Sequence, residues 1–167
     1  MFTTVQNLRV GALESNGTPF SFVVYRSASG THHVAINIDS ELFICTEEGD
    51  YNMQESTIEE AIKYAGLKGI TVHDIVDNWQ PLFVNRTNSK HAIKDLRVGA
   101  IVEKGRPFYF AAYETRKGGV ARVWDSNASY ECKHEAYLKA IIDVIDAANL
   151  TEFFPYDLFL KSGILIE

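Results

Sequence analysis

The sequence predicts an α+β fold of two related small domains, each a three- to four-stranded antiparallel sheet followed by one long and one short helix. The segment LRVGALESNGTPFSF at 8–22 is nearly repeated as LRVGAIVEKGRPFYF at 96–110. Apolar residues alternate with other residues early in each copy, which is typical of strands, and later recur at a helical spacing. Strands followed by helices indicate a sheet layer packed on a helix layer. We therefore predict an internal duplication.

The repeat sets the predicted domain boundaries. We assign residues 1–85 to the first copy, which carries an acidic insertion at 47–55, and residues 92–167 to the second copy. The polar segment at 86–91 has no hydrophobic periodicity, so we take it as the linker. Two copies with so long a period fit a pair of related domains better than a solenoid array.

The first strand and its turn are the clearest local features of each copy. Leu8, Val10 and Ala12 alternate with other residues, as in a strand with one face half-buried. Asn16-Gly17 follows and predicts a hairpin turn, because both residues tolerate a positive φ. The second copy keeps the glycine of this turn in Lys104-Gly105.

The next strands have an apolar face that predicts packing under a helix. Pro19 begins the second strand, at a position where proline removes no ladder hydrogen bond. Val34, Ile36 and Ile38 alternate in a third strand, and a short fourth strand is predicted at 42–45. The second strand has two distinct faces, one formed by Phe20, Phe22 and Val24 and the other by Ser21, Val23 and Tyr25.

Two helices are predicted to end each copy. Ser56 with Glu59 three residues later forms a capping box, which predicts where the long helix begins. Thr71 with Asp74 predicts a short helix that ends before Pro81. Each long helix has one apolar face, formed by Ile58, Ala61, Ile62 and Ala65 in the first copy and by Leu138, Ile141, Ile142 and Ile145 in the second.

Composition and charge exclude several classes of protein. A net charge of -6 and a pI near 5.4 argue against a protein that coats DNA. No apolar run approaches the roughly 18–20 residues that span a bilayer. The N-terminus has no basic region followed by a long apolar stretch, so we predict no signal peptide. Two cysteines are too few for a disulfide scaffold. Together these features predict a cytoplasmic protein without membrane contact.

Charge is distributed unevenly along the chain. Residues 27–62 contain many acidic residues and no lysine or arginine, whereas residues 86–122 are rich in both. We predict a non-enzymatic binding protein whose acidic stretch docks on the basic surface of a larger cytoplasmic partner, as an adaptor or inhibitor. The candidate docking residues are Glu41, Glu47, Glu48, Asp50, Tyr51 and Glu55.

Three other interpretations stay open. The basic stretch 86–122 is an alternative nucleic-acid-binding module, through phosphate contacts and stacking on tyrosine. It is also a surface that the acidic stretch of a second copy could meet in a homodimer. A small enzyme with its site between the copies is the second alternative, because catalytic residues distant in sequence meet only in the fold. The candidate residues of the basic stretch are Arg97, Arg106, Arg116, Lys117 and Arg122.

No motif assigns a chemical reaction. The chain contains no G-x-S-x-G, P-loop or G-x-G-x-x-G segment. Cys45, Cys132 and His134 are the candidate zinc ligands, but no C-x2-C or H-x3-H spacing supports them. We therefore predict no metal, no cofactor and no assigned catalytic residue. Positions at which the two copies differ, such as Ser21 against Tyr109, are the places where we look for function.

Overall fold

The computed structural model describes residues 1–50, 52–81 and 90–166. Its first seven elements are β1 (Thr3–Ser15), β2 (Thr18–Ser27), β3 (Thr31–Ile38), β4 (Glu41–Glu48), α1 (Met53–Ala65), α2 (Val72–Asn78) and β5 (Trp79–Pro81). The other seven are β6 (Lys90–Glu103), β7 (Arg106–Thr115), β8 (Gly118–Trp124), β9 (Ser129–His134), α3 (Tyr137–Ala147), α4 (Pro155–Lys161) and β10 (Gly163–Ile166).

All ten strands of the described residues belong to one antiparallel sheet. The main path runs β4-β3-β2-β1-β6-β7-β8-β9, while β5 pairs with β1 and β10 pairs with β6. Residues 3–6 of β1 pair with residues 90–93 of β6, and this pairing joins the two halves of the path at its centre. The predicted fold class is therefore wrong: the chain forms a sheet-dominated fold and not two separate α+β domains produced by an internal duplication.

The fold class was predicted wrongly because it depends on a pairing between two strands that are far apart in the sequence. Alternation along a strand shows which side chains share a face, but it does not show which strand lies alongside. The pairing of β1 with β6 connects residues that are far apart in the chain, and no local pattern reports it. Strand β6 begins at Lys90, inside the segment predicted as the linker at 86–91, and residues 86–89 of that segment lie outside the described residues.

A β-bulge bends each of the two central strands. The register of β1 shifts between Gln6 and Arg9, and that of β6 shifts between Lys94 and Arg97. Asn7 and Asp95 lie at these bulges, with φ values of 53° and 52°. Bulges increase the local twist and redirect the strand. Beyond its bulge, β1 pairs with β5 and β6 pairs with β10, so the sheet divides into a first half-sheet (β1–β5) and a second half-sheet (β6–β10).

The two half-sheets share a central apolar core. It contains residues of β1 and β2 from the first half-sheet and of β6, β7 and β8 from the second. The faces are those that the alternation predicts: Val23 and Tyr25 lie in this core, while Phe20, Phe22 and Val24 face the helices. Both faces of β2 are therefore buried, which alternation alone did not indicate.

Helices cover the outer face of each half-sheet. The core under α1 and α2 includes Phe22, Ile36 and Ile58, and the core under α3 and α4 includes Phe110 and Ile141. Each of these five side chains is 2% exposed or less. Complete burial of such a side chain contributes about 1.5–3 kcal/mol to folding. The layers are therefore α1 and α2, the first half-sheet, the second half-sheet, and α3 and α4, in that order.

The helix boundaries confirm one sequence prediction and correct two. The capping box of Thr71 and Asp74 is present, with the Thr71 backbone N–H donating to the Asp74 carboxylate at 2.8 Å. Helix α1 begins at Met53, so the capping box predicted at Ser56 and Glu59 is wrong. The predicted apolar face of α3 is also shifted, because Leu138 is 51% exposed.

Among the described residues, no helix has both the length and the apolar character that crossing a membrane requires.

Three tyrosines make the fold sensitive to alkaline pH: Tyr25 and Tyr113 are buried, and Tyr137 is half-buried. Burial raises the pKa of Tyr25 to about 12, from an ordinary value of 10.0. Burial is also the main cause that raises the pKa of Tyr113 and Tyr137. Tyr25 stacks on His33 with ring centroids 4.6 Å apart, and the Tyr137 hydroxyl donates to the Asp95 carbonyl oxygen at 2.8 Å. The folded chain therefore holds these three phenols in their protonated form.

We expect the free energy of unfolding to fall as the pH rises from 10 towards 12. Below pH 10, both the folded and the unfolded chain keep these protons, and the pH has no effect through them. Above pH 10, the unfolded chain releases them first and is favoured, at a cost of about 3 kcal/mol from Tyr25 alone. Urea denaturation across this range measures the loss, and Tyr25→Phe should reduce it. A midpoint that does not change with pH would contradict the buried state of these phenols.

Candidate functional site

Strand β4 forms an open edge of the sheet. Within the described part of the chain it pairs only with β3, from Glu41 opposite Ile38 to Glu48 opposite Thr31. The outer side of an edge strand presents backbone N–H and C=O groups that a further strand can pair with. The register also fixes the two faces of β4. Phe43 and Cys45 face α1, like their partners on β3, and Ile44 faces the other way.

Five of the six predicted acidic docking residues lie along or beside this edge strand. Glu41 and Glu48 are exposed at the two ends of β4, and Glu47 is half-buried. Asp50 follows the strand, and Glu55 is exposed in the first turn of α1. None of these five carboxylates forms an ion pair with another described residue. We call Glu41, Glu47, Glu48, Asp50 and Glu55 the acidic edge; the sixth predicted residue, Tyr51, lies outside the described residues.

Helix α1 borders the acidic edge on one side. It packs on β3 and β4, and the ring of Tyr64 meets that of Phe43 edge-on with centroids 5.2 Å apart. Tyr64 is nevertheless 62% exposed. Burial raises the pKa of the Cys45 thiol, and the charges of Glu60 and Glu47 raise it further, so this thiol stays protonated. A strand added to β4 would therefore meet carboxylates and an aromatic ring along α1.

The predicted basic residues are largely engaged within the chain. The Arg106 guanidinium donates to Asp125 at 2.6 Å, and that of Arg122 donates to Glu131 at 3.0 Å. The Arg97 guanidinium lies 4.6 Å from the centre of the Phe159 ring, and the Arg116 guanidinium lies 4.8 Å from the centre of the Phe2 ring. Lys117 is exposed in the turn between β7 and β8. These contacts compete with phosphate for four of the five side chains.

The two cysteines among the candidate zinc ligands lie at opposite ends of the sheet path. Cys45 is on β4 and Cys132 is on β9, which are the first and last strands of that path. The described residues contain no group of three or more histidine, cysteine, aspartate or glutamate side chains placed to hold a metal ion. The buried His32 side chain contacts the backbone, and its Nε2 atom lies 2.8 Å from the Asp50 carbonyl oxygen.

Known proteins offer no guide to this arrangement. No family model, curated protein or solved structure matches the chain. The acidic edge therefore has to be interpreted from its own geometry and charge.

A cleft lies between the half-sheets, where the sequence left open a site between the two copies, but its lining was not predicted. It has a volume of about 550 Å³ and lies between β1 on one wall and β7, β8 and the loop after β8 on the other. Asn78 and Gln80 line the first wall, and Tyr109, Arg122 and Trp124 line the second. These residues come from distant parts of the chain, and only the fold brings them together. The one sequence signal was Tyr109, which stands where the similar segment at 8–22 has the small Ser21.

Proposed function

We propose that this chain is a non-enzymatic binding protein that docks on a larger partner with a basic surface, as an adaptor or inhibitor. The observation that carries the proposal is the acidic edge, in which five carboxylates without an ion-pair partner among the described residues surround an open edge strand. Glu47, Glu48 and Asp50 lie within four residues of one another, and like charges so close raise the energy of the free protein. A cationic partner would relieve this repulsion and be drawn towards the edge.

The edge supports docking by an extended segment that pairs with β4. Main-chain hydrogen bonds supply affinity in this mode, and alternate side chains supply specificity. Basic side chains on one face of the segment would meet Glu41, Glu47 and the carboxylate of Glu60 on α1. Apolar side chains on its other face would meet Ile44, which is 44% exposed. The favoured partner segment therefore alternates basic and apolar residues.

We expect the triple substitution Glu47→Lys, Glu48→Lys and Asp50→Lys to weaken binding of a short synthetic peptide of alternating lysine and valine. Exposed charge pairs contribute about 0.2–1 kcal/mol each, and reversal adds repulsion, so the affinity should fall about tenfold or more. Fluorescence anisotropy of the labelled peptide measures this change. Hydrogen exchange should show protection of the β4 amides in the wild-type complex only.

The control reverses three exposed carboxylates elsewhere on the chain, in Asp77→Lys, Glu135→Lys and Asp146→Lys. It changes the net charge by the same amount and should leave binding much closer to wild type. Equal losses in the two variants would show that net charge alone attracts the peptide. A peptide of alternating glutamate and valine should not bind, and unchanged binding of the lysine peptide to the first variant would refute docking at the acidic edge.

A further inference from the structure

The cleft between the half-sheets has the dimensions of a small-molecule site. The half-sheets are joined where β1 pairs with β6 and separate beyond the bulge at Asn7. The space that opens there is about 550 Å³, within the range of about 300–1,000 Å³ that ligand pockets occupy. It lies between Val10 and Ala12 of β1 and the side chains of Tyr109 and Trp124. The acidic edge, on and beside β4, contributes no residue to it.

The wall formed by the loop after β8 is held in shape before any ligand arrives. One oxygen of the Asp125 carboxylate accepts the backbone N–H groups of Asn127 at 2.9 Å and Ala128 at 2.7 Å. The other oxygen accepts the Arg106 guanidinium at 2.6 Å. The backbone N–H of Asp125 donates to the Ala128 carbonyl oxygen at 2.9 Å. A preorganised wall loses little freedom when a ligand binds.

The charged groups of the cleft already have partners of opposite charge. The Asp125 carboxylate is paired as described, and the Arg122 guanidinium, whose side chain is 13% exposed, donates to Glu131 at 3.0 Å. Burial raises the pKa of Tyr109, with a further contribution from the charge of Glu14, so the phenol is neutral. An ionic ligand would have to compete with these contacts. The cleft therefore favours a ligand without charge.

The remaining polar lining groups are amides and hydroxyls, and one half-buried tryptophan lies beside them. Asn78, Gln80 and Asn127 supply amides, Ser126 and Ser129 supply hydroxyls, and the Trp124 ring borders the same space. The Asn78 amide nitrogen also donates to the Asp74 carbonyl oxygen at 2.7 Å, so its oxygen is the group that would meet a ligand hydroxyl. Amides and hydroxyls both donate and accept hydrogen bonds. The negative face of an aromatic ring attracts the weakly positive C–H groups of an apolar surface.

We propose that this cleft binds a neutral sugar ring, with one C–H face of the ring packed on Trp124. Its hydroxyl groups bond with the amides of Asn78 and Gln80 and with the hydroxyl of Ser129. A nucleotide is a poorer fit, because its phosphate needs a cation and the guanidinium of Arg122 is engaged by Glu131. The site adds a small-molecule function to the docking at the acidic edge and does not depend on it.

Fluorescence titration tests the proposal, because the chain has two tryptophans and only Trp124 lines the cleft. In a Trp79→Phe variant, the emission reports on Trp124 alone. The probes are glucose, galactose, mannose and N-acetylglucosamine. At least one of them should change the tryptophan fluorescence in a saturable way, with half-saturation at about 1 mM. Gln80→Ala should lower the affinity for that sugar by about threefold to tenfold. No saturable change with any of the four sugars would overturn the proposal.

Two further measurements distinguish a sugar bound in the cleft from a sugar bound elsewhere on the chain. Saturation-transfer NMR should show magnetisation transfer from the wild-type chain to the same sugar. This signal should be absent for Trp124→Ala, and circular dichroism checks that the variant is folded. The matched variant Tyr64→Ala removes an exposed aromatic ring outside the cleft and should keep the signal. Persistent transfer in Trp124→Ala would place the sugar elsewhere. Tighter binding of adenosine or of glucose 6-phosphate than of any neutral sugar would show that the ligand class is wrong.

Discussion

Phe22→Ala is expected to lower the free energy of unfolding by about 3–5 kcal/mol. Phe22 is completely buried, on a strand in the interior of the sheet path, between Gly11 of β1 and Ile36 of β3. Its ring is so close to Gly11 that a methyl group there would overlap with the ring. Removing the ring therefore leaves a cavity bordered by backbone, which cannot collapse easily. For a chain of this size, the melting temperature should fall by about 2–4 °C per kcal/mol.

The same substitution tests whether the sheet unfolds as one unit. Phe110 is the buried counterpart in the second half-sheet, and Phe110→Ala should cost a similar amount. Because β1 and β6 connect the half-sheets, each variant should show a single cooperative transition shifted as a whole. Tyr156→Ala is the control, since Tyr156 is 70% exposed and surface changes usually stay within about 0.5 kcal/mol. Two transitions, with only one moved by each variant, would show independent halves.

Gly118→Ala is expected to destabilise the protein by about 3 kcal/mol or more, through two costs that add. The φ of Gly118 is 133°, which residues with a side chain rarely adopt. A Cβ atom would also lie 2.5 Å from the His134 carbonyl oxygen and 2.9 Å from the Glu135 Cα. Both neighbours are backbone atoms just before α3, so no side chain can rotate away to make room.

Gly105→Ala is a control at a positive-φ glycine without a steric clash. Gly105 has a φ of 76°, and nothing lies within 4 Å of the position that its Cβ would occupy. Only the conformational cost applies there, which is about 1 kcal/mol. Guanidinium chloride denaturation of both variants measures the difference, which combines the steric clash at Gly118 with the larger backbone strain of its φ of 133°. Equal losses in the two variants would mean that β8 can move away from the start of α3.

Much of the local structure follows from short stretches of sequence. The turn at Asn16-Gly17 has the expected positive φ values of 49° and 80°. The faces of β2 and the capping box of Thr71 and Asp74 also follow from rules that need only a few neighbouring residues. Each of these features depends on interactions within one turn or one strand, which a local pattern can report.

The larger errors concern interactions between distant segments. The bulge residue Asn7 carries no signal that β1 changes partner there, and α1 begins before the predicted Ser56 because its first turn includes Met53. Charge counting placed the acidic residues in one stretch, but the open edge beside them depends on where the sheet path ends. The basic stretch shows the opposite case: Arg106 and Arg122 are close to other basic residues in sequence, yet in the fold each is paired with a carboxylate.

The position of the glutamates on β4 also affects how two copies of this chain would meet. If one β4 approached another in antiparallel alignment, Glu41 of one copy would face Glu48 of the other at both ends of the contact. Like charges directly opposite each other in a sheet are unfavourable. The free backbone groups of an edge strand would otherwise allow copies to join into a growing sheet. The same carboxylates that favour a basic partner thus help to keep an open strand from becoming a seed for aggregation.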